Sequence, residues 1–370
     1  MVLFIGNDIV KELLTMDNTM LCLEKTYRDL VTNDAVCRPR IDIQVPTGEF
    51  GKVFQWGTME GGSASGYFAV RMKSDVIHES EYEGVVTQEQ YCVRPGAFCG
   101  LILLVSTRNG EPLAILNDGV VQHMRVGADG GLGLKYMGRT NAEVCGMLGS
   151  GGMARAHMEA FMRVRDIKRL QVFSPTKANR ERFGAEMRDR FGIDVAVCEK
   201  PEDIYKGADI VAALTDSAIP VLKGRLLEKG CHVISVGGGG GRPDDSTLER
   251  VDLYLRFGTA PAPWSKPEMV IEDEYVAYAA QQNVIKSFGM RRPGKRGHGV
   301  ALPEKLVWFS DLIHGKHPGR TSSEQITYSE RGNLQGAQFF AVAGSIYEIC
   351  KERGLGHNIP TEWFLQDIRN

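Results

Sequence analysis

The 370-residue sequence lacks an excess of either charge: 44 lysines and arginines stand against 46 aspartates and glutamates, a formal charge of −2. That balance excludes the electrostatic footprint of a nucleic-acid binder or of a protein held on an anionic membrane. No apolar run approaches the ~18–20 residues of a membrane span. The opening MVLFIGNDIVKELL has no basic leader followed by an apolar stretch and a small-residue cleavage site, so a soluble, cytoplasmic protein is expected. The eight cysteines, at 22, 37, 92, 99, 145, 198, 231 and 350, form no CxxC pair and no zinc-type spacing; reduced thiols are expected. His314 and His317 of HGKHPGR have no cysteine or carboxylate cluster to complete a ligand set, so no metal is expected. Internal repeats are absent, and the only low-complexity segment is the glycine run at 237–241.

What is present is ordinary globular composition, in a chain long enough for two domains at ~100–200 residues each. Up to about Gly138 the pattern is mixed: a helix over Asp17 to Val31, alternating segments such as KVFQW and YFAVRMKS, and the run CGLILLVST before the turn NGEP. From Glu143 to about Leu255, short apolar runs (VCGML, LQVFS, DVAVC, DIVAALT, HVISV) alternate with helical patterns, as βαβ units on a parallel sheet do. After the basic Pro/Gly stretch RRPGKRGHG, the tail returns to helix in QGAQFFAVAGSIYEICKERG. The expected fold is therefore α/β: a Rossmann-type parallel sheet domain over 139–319 and a mixed α+β domain for substrate and dimerisation over 1–138, completed by 320–370.

The segment CGMLGSGGMARAH joins strand to helix through Gly149, Ser150, Gly151, Gly152, Met153 and Ala154, which fits G-x-G-x-x-A. In that pattern the first glycine permits the tight turn, the second admits a pyrophosphate to the main chain, and the alanine lets the helix pack on the strand. The helix then aims its free N–H groups at the phosphates. Strand before and helix after give the short motif its context. The second strand ends in FSPTKANR, with Ser174 where an NAD site carries an acid for the ribose hydroxyl. Ser174, Thr176, Lys177 and Arg180 suit a 2′-phosphate, so NADP(H) is favoured over NAD(H). Thr215 and Val236, Gly237 and Gly238, at the ends of later strands, complete the cofactor-site candidates.

With these residues placed, the chain resembles the ornithine cyclodeaminase and mu-crystallin family, through RPRIDI, AVRMKSD, FCGLILLVSTRNGEPLAILNDG, MLGSGGMARAH and GRTSSEQITYSERGNLQGA. The resemblance implies a homodimer and chemistry at an amino acid's α-carbon through an imine. It puts the carboxylate-binding arginine on Arg40, the substrate lysine on Arg71, and a second arginine on Arg125. Guanidinium groups suit a carboxylate because they grip it bidentately. Arg71, Lys73 and Asp75 share one strand face, so Lys73 stands in for the missing lysine. The same alternation also describes the wet face of an ordinary strand.

Several positions depart from the family. Gln55 replaces the glutamate ahead of the substrate lysine, and an amide hydrogen-bonds but does not act as a base. Glycines 237–241 replace an acidic loop, with Asp244 and Asp245 only afterwards, and Gly336 replaces a late aspartate. A site with few internal carboxylates disfavours ornithine cyclisation, which needs a base for two amino groups. The expected activity is NAD(P)H-dependent reduction of a 2-imino acid, catalysed around Arg71, Lys73 and Arg125 with the substrate held by Arg40 and Gln55. His123 is a further proton-donor candidate. An amino-acid dehydrogenase, a cyclodeaminase and an NADPH-binding protein without turnover remain open as alternatives.

Overall fold

The computed structural model describes residues 1–38, 40–82, 85–217, 219–236, 243–258, 275–278, 303–330 and 334–368. Gly237, Gly238 and the stretch RRPGKRGHG lie outside them. Two sheets organise the chain. The first is built from β1 (Val2–Ile5), β2 (Ala35–Cys37), β3 (Ile41–Pro46), β4 (Lys52–Ser63), β5 (Tyr67–Tyr82), β6 (Val85–Tyr91), β7 (Cys99–Ser106) and β8 (Pro112–Asn117). Its strands from β3 to β8 pair antiparallel in the order β3-β4-β5-β7-β8, and β8 runs parallel to β1. β2 adds to β4, and β6 adds to β5 beyond the end of β7.

The second sheet is parallel throughout. It contains β9 (Val144–Leu148), β10 (Arg169–Phe173), β11 (Asp194–Val197), β12 (Ile210–Leu214), β13 (His232–Val236) and β14 (Leu253–Arg256). One later strand, β15 (Tyr275–Tyr278), returns to β3 of the first sheet, whereas β16 (Leu306–Trp308) and β17 (Thr327–Glu330) join the parallel one. The order β11-β10-β9-β12-β13-β17 is that of a doubly wound dinucleotide sheet, with β14 and β16 added at its edge. The first sheet is closed at the other edge by β18 (His357–Ile359), antiparallel to β1. The α/β class and its division into a Rossmann-type and a mixed layer therefore hold. The expected ranges are crossed twice, because 327–330 belongs to the parallel sheet and 275–278 to the mixed one.

Helices α1 (Asn7–Leu13) and α2 (Met16–Val31), the long α3 (Gly119–Met137) and the C-terminal helix (Gln335–Arg353) cover the mixed sheet. α2 starts where Thr15 accepts a hydrogen bond from the Asn18 N–H at 3.2 Å, with Asp17 in its first turn, a cap and a charge that suit a helix N-terminus. The apolar sides of these helices meet the sheet in one core that includes Leu23, Tyr27, Ile102, Leu104, Phe339 and Ile346. α4 (Gly152–Val164) and α5 (Lys177–Phe191) bury Phe161, Phe183 and Met187 on one face of the parallel sheet. Glycines let α3 lie almost backbone to backbone on α4: a Cβ at Gly127 would fall 2.5 Å from the Ala156 carbonyl carbon, and one at Gly131 2.8 Å from the Ala160 Cβ. No helix among the described residues is long and apolar enough to cross a membrane.

Candidate active site

The turn after β9 has the geometry its sequence requires. Gly149 sits at φ +114°, and a side chain there would collide with the Leu214 carbonyl. Its N–H donates to the Phe173 carbonyl at 2.8 Å, which ties the turn to the end of β10. At Gly151 an added Cβ would meet nothing within 4 Å, so the main chain here faces open space in front of the first turn of α4. Ala154 is fully buried against the sheet. Open backbone, a bare helix N-terminus and a small residue at the crossing are what a pyrophosphate needs, so these residues fit a dinucleotide.

At the end of β10, Ser174 is buried and its hydroxyl is hydrogen-bonded to that of Ser150 at 2.9 Å. Arg180 is turned inward. It donates to the Ser174 and Pro175 carbonyls, both at 3.0 Å, pairs with Glu199 at 2.8 Å, and lies over the Phe173 ring. Arg180 thus braces the loop, while Thr176 and Lys177 are exposed beside it. Thr215 accepts from the Ser217 N–H at 3.1 Å, and Val236 is half-buried at the end of β13.

The basic residues of the mixed sheet converge near the start of α3. Arg71 is 3% exposed, and its guanidinium donates to Asp118 at 2.6 Å from Nε, with Nη2 against the same oxygen. Burial lowers its pKa, and Asp118 opposes that fall. Two residues along the strand, Lys73 pairs with Asp75 at 2.5 Å and reaches the Gln90 side chain. Burial pushes the Lys73 pKa down to about 8; Asp75 resists, and the neighbouring Arg40 and Arg71 add to the fall. Arg40 donates to Asp42 at 2.7 Å. Gln55 is buried beside Asp75 in register and accepts from Gln44 at 2.8 Å.

The expectation of few carboxylates is overturned here: Asp42, Asp75 and Asp118, all buried, each face one of these cations. Strand pairing brings in Asp42, and the entry to α3 brings in Asp118, neither of which spacing singled out. Asp244 and Asp245 are not at this cluster's disposal in the way a loop base would be. Asp244 caps the helix α6 (Asp245–Arg250), and its carboxylate accepts from the N–H groups of Gly224 and Thr247 and the hydroxyls of Ser246 and Thr247. Against the effect of burial, these bonds hold its carboxyl below the usual range. Asp245 is exposed. Gly336 is glycine for a packing reason, because a Cβ there would overlap the Glu60 carbonyl on β4.

Arg125 occupies the second turn of α3, 2% exposed, and lies over the Phe339 ring at 4.5 Å. Arg71 lies over the same ring at 5.3 Å. Arg125 donates to the side-chain oxygens of Gln338 at 2.5 Å and Gln122 at 2.7 Å. The Gln338 amide in turn donates to Asp129 at 3.1 Å and to the Tyr27 hydroxyl at 2.7 Å. A carboxylate only accepts, so Asp129 fixes the amide with its oxygen toward Arg125. His123, two residues earlier on the exposed side of α3, stands against the dinucleotide turn: a Cβ on Gly152 would come 2.6 Å from its Nε2. Burial lowers the His123 pKa, opposed by Asp118.

Residues 95–354 match the model of the ornithine cyclodeaminase/mu-crystallin family. Among curated proteins, the chain is 24% identical over 362 residues to alanine dehydrogenase of Archaeoglobus fulgidus, covering 96% of this chain and 98% of that one. It is 28% identical to Delta(1)-pyrroline-2-carboxylate reductase of Bacillus cereus, over 70% of this chain and 74% of that one. Among solved structures, the Thermococcus litoralis Delta(1)-pyrroline-2-carboxylate reductase in complex with NADH and L-proline superposes with a TM-score of 0.72 at 21% identity, covering 97% of this chain and 100% of that one. The glycine turn, the two-sheet fold and the span of the match together establish that this chain belongs to the ornithine cyclodeaminase/mu-crystallin family.

Proposed function

We propose that the protein reduces a 2-imino acid to the amino acid with a nicotinamide cofactor, NADP(H) in preference to NAD(H), and that it works as a homodimer. The observation that carries this reading is the convergence of Arg71 and Arg125 on one ring, Phe339, with His123 of the same helix against Gly152 of the dinucleotide turn. That arrangement supports a cationic site for a carboxylate, to which the neighbouring Arg40 also contributes, on the cofactor's side of the helix pair. The reductase and dehydrogenase names of the relatives agree with it.

Gly149 to Ala154 and the start of α4 would hold the pyrophosphate, and Ser174, Thr176 and Lys177 the ribose end. The bound cofactor supplies a hydride for the imine carbon. Arg125 and Arg40 hold the substrate carboxylate, which fixes the α-carbon against that hydride and makes the reaction intramolecular in effect. Lys73, softened by burial, gives its proton to the imine nitrogen, and Asp75 keeps the ammonium in place. The aspartates neutralise the cations without standing free as bases, so a single proton delivery suits the site better than the several transfers of a cyclisation.

The test is to follow NADPH absorbance with 2-oxo acids plus ammonia or methylamine, and with preformed cyclic imines. Stoichiometric NADPH oxidation is expected. Proline and ammonia formed from ornithine with catalytic oxidised cofactor would overturn the reading in favour of a cyclodeaminase.

Two further results are expected. Ser174→Asp should turn the preference toward NADH, because a carboxylate accepts from the ribose hydroxyl and repels a 2′-phosphate; equal binding of both cofactors before and after the change would refute it. The Lys73 ammonium is the proton-bearing form and is lost as pH rises through about 8. Turnover at saturating substrate should therefore fall through that range, and Lys73→Met should remove the limb along with most activity. A wild-type profile that stays flat well above this pH would assign the donor elsewhere.

A further inference from the structure

The mixed sheet carries a second chemical feature along the edge of β5 that β6 and β7 share. β6 and β7 lie on the same edge of β5, with Tyr91 opposite Val76 and Cys99 opposite Ser74. Between them the chain leaves the sheet in the loop 92–98, which departs and returns within two residues of the partner strand. Two strand steps are ~7 Å, and Cys92 lies one residue inward of Tyr91, so the Cys92 and Cys99 α-carbons fall within the reach of a disulfide. The loop is drawn shut by its own backbone: the Cys92 N–H donates to the Ala97 carbonyl at 2.8 Å, and the Arg94 N–H to the Cys92 carbonyl at 2.7 Å. Val93, a β-branched residue at φ +67°, is held in the left-handed region at the turn and is 92% exposed, a conformation that persists only where surroundings impose it. Cys92 lies close enough to the Cys99 thiol to add to the rise that burial causes in its pKa.

We infer that Cys92 and Cys99 form an oxidisable dithiol, which closes to an intrachain disulfide at the root of the 93–98 loop when a small disulfide such as oxidised glutathione is present. Both residues are half-buried and within reach of solvent, whereas Cys145, Cys198, Cys231 and Cys350 are buried. One thiolate attacks the small disulfide, forming a mixed disulfide and releasing one glutathione thiolate. The second protein thiolate then attacks the protein sulfur of that bond and releases the other glutathione. The protein loses two hydrogens, and one oxidised glutathione becomes two reduced ones. Burial, with Cys92 beside it, pushes the Cys99 thiol up, so the closure should accelerate as pH rises above neutral.

The experiment treats the folded full-length protein with oxidised glutathione, alkylates the remaining thiols and maps the peptides. Two of the eight thiols should disappear together as a Cys92–Cys99 crosslink, reversed by dithiothreitol. Cys99→Ser should leave a persistent glutathione adduct on Cys92 instead, because the resolving thiol is gone. Stable glutathione adducts on Cys92 or Cys99 in the wild-type protein, a crosslink to any other cysteine, or no reaction at either thiol would each overturn the proposal. Wild-type mapping alone decides it if the variant fails to fold.

Discussion

Arg125→Met should remove about 2–5 kcal/mol of transition-state stabilisation while leaving dinucleotide affinity near its original value. Arg125 is almost wholly buried, its two terminal nitrogens are fixed by Gln338 and Gln122, and its guanidinium lies over the Phe339 ring. A guanidinium held this way has lost its rotamer freedom before a substrate arrives, so its grip on a carboxylate needs little ordering. Methionine fills the same channel and keeps a favourable contact with the ring, so the fold is retained and the effect reads on the charge. Arg40→Met should act in the same direction. Steady-state kinetics with a responsive imino acid, beside a cofactor titration, make the measurement. Near-normal turnover in both variants would place the substrate away from the clamp.

Asp118→Ala should destabilise the fold by about 3–5 kcal/mol, because it leaves the Arg71 charge buried without its counter-ion. The two side chains are 4% and 8% exposed, so water offers little relief. Asp118 stands at the N-cap position of α3 but makes no side-chain capping bond; its carboxylate is spent on Arg71, and the loss reports the ion pair rather than the helix end. The check is a denaturant midpoint, with the double change Asp118→Asn and Arg71→Met as the decisive arm. Replacing both charges should recover most of the lost stability. A single Asp118→Ala within ~0.5 kcal/mol of wild type would mean that Arg71 has another counter-charge.

The dinucleotide turn was legible because its chemistry is local: six consecutive residues between one strand and one helix hold every requirement of the motif. The Arg71, Lys73, Asp75 face was legible for the same reason, from a two-residue repeat along one strand. Asp42 and Asp118 were not, since they reach the cluster through the pairing of β3 with β4 and through the entry to α3, separations that no periodicity reports. One signal was available for Asp42, two residues after Arg40 on a strand and therefore on its face. The inward turn of Arg180 was equally hidden: beside Ser174 at the start of a helix an arginine reads as a partner for a 2′-phosphate, and only the fold brings Glu199 and the carbonyls of its own loop within reach. Gly336 looked like a lost acid, and is a contact between the C-terminal helix and β4 too close for any side chain.

The glycines of α3 have a consequence for how the molecule folds. Gly127, Gly130, Gly131 and Gly133 lie in the helix interior, where each lowers intrinsic helix stability by ~1 kcal/mol relative to alanine. All four are crowded: Gly127, Gly130 and Gly131 by α4, and Gly133 by Ser329 of the parallel sheet. An isolated α3 would be a poor helix, and it becomes a good one only when docked on α2, the C-terminal helix and α4 at once. The segment that joins the two sheets is thus the one least able to stand alone. Its order is borrowed from both layers, which binds them into a single cooperative unit, and loosening either one melts the connection to the other.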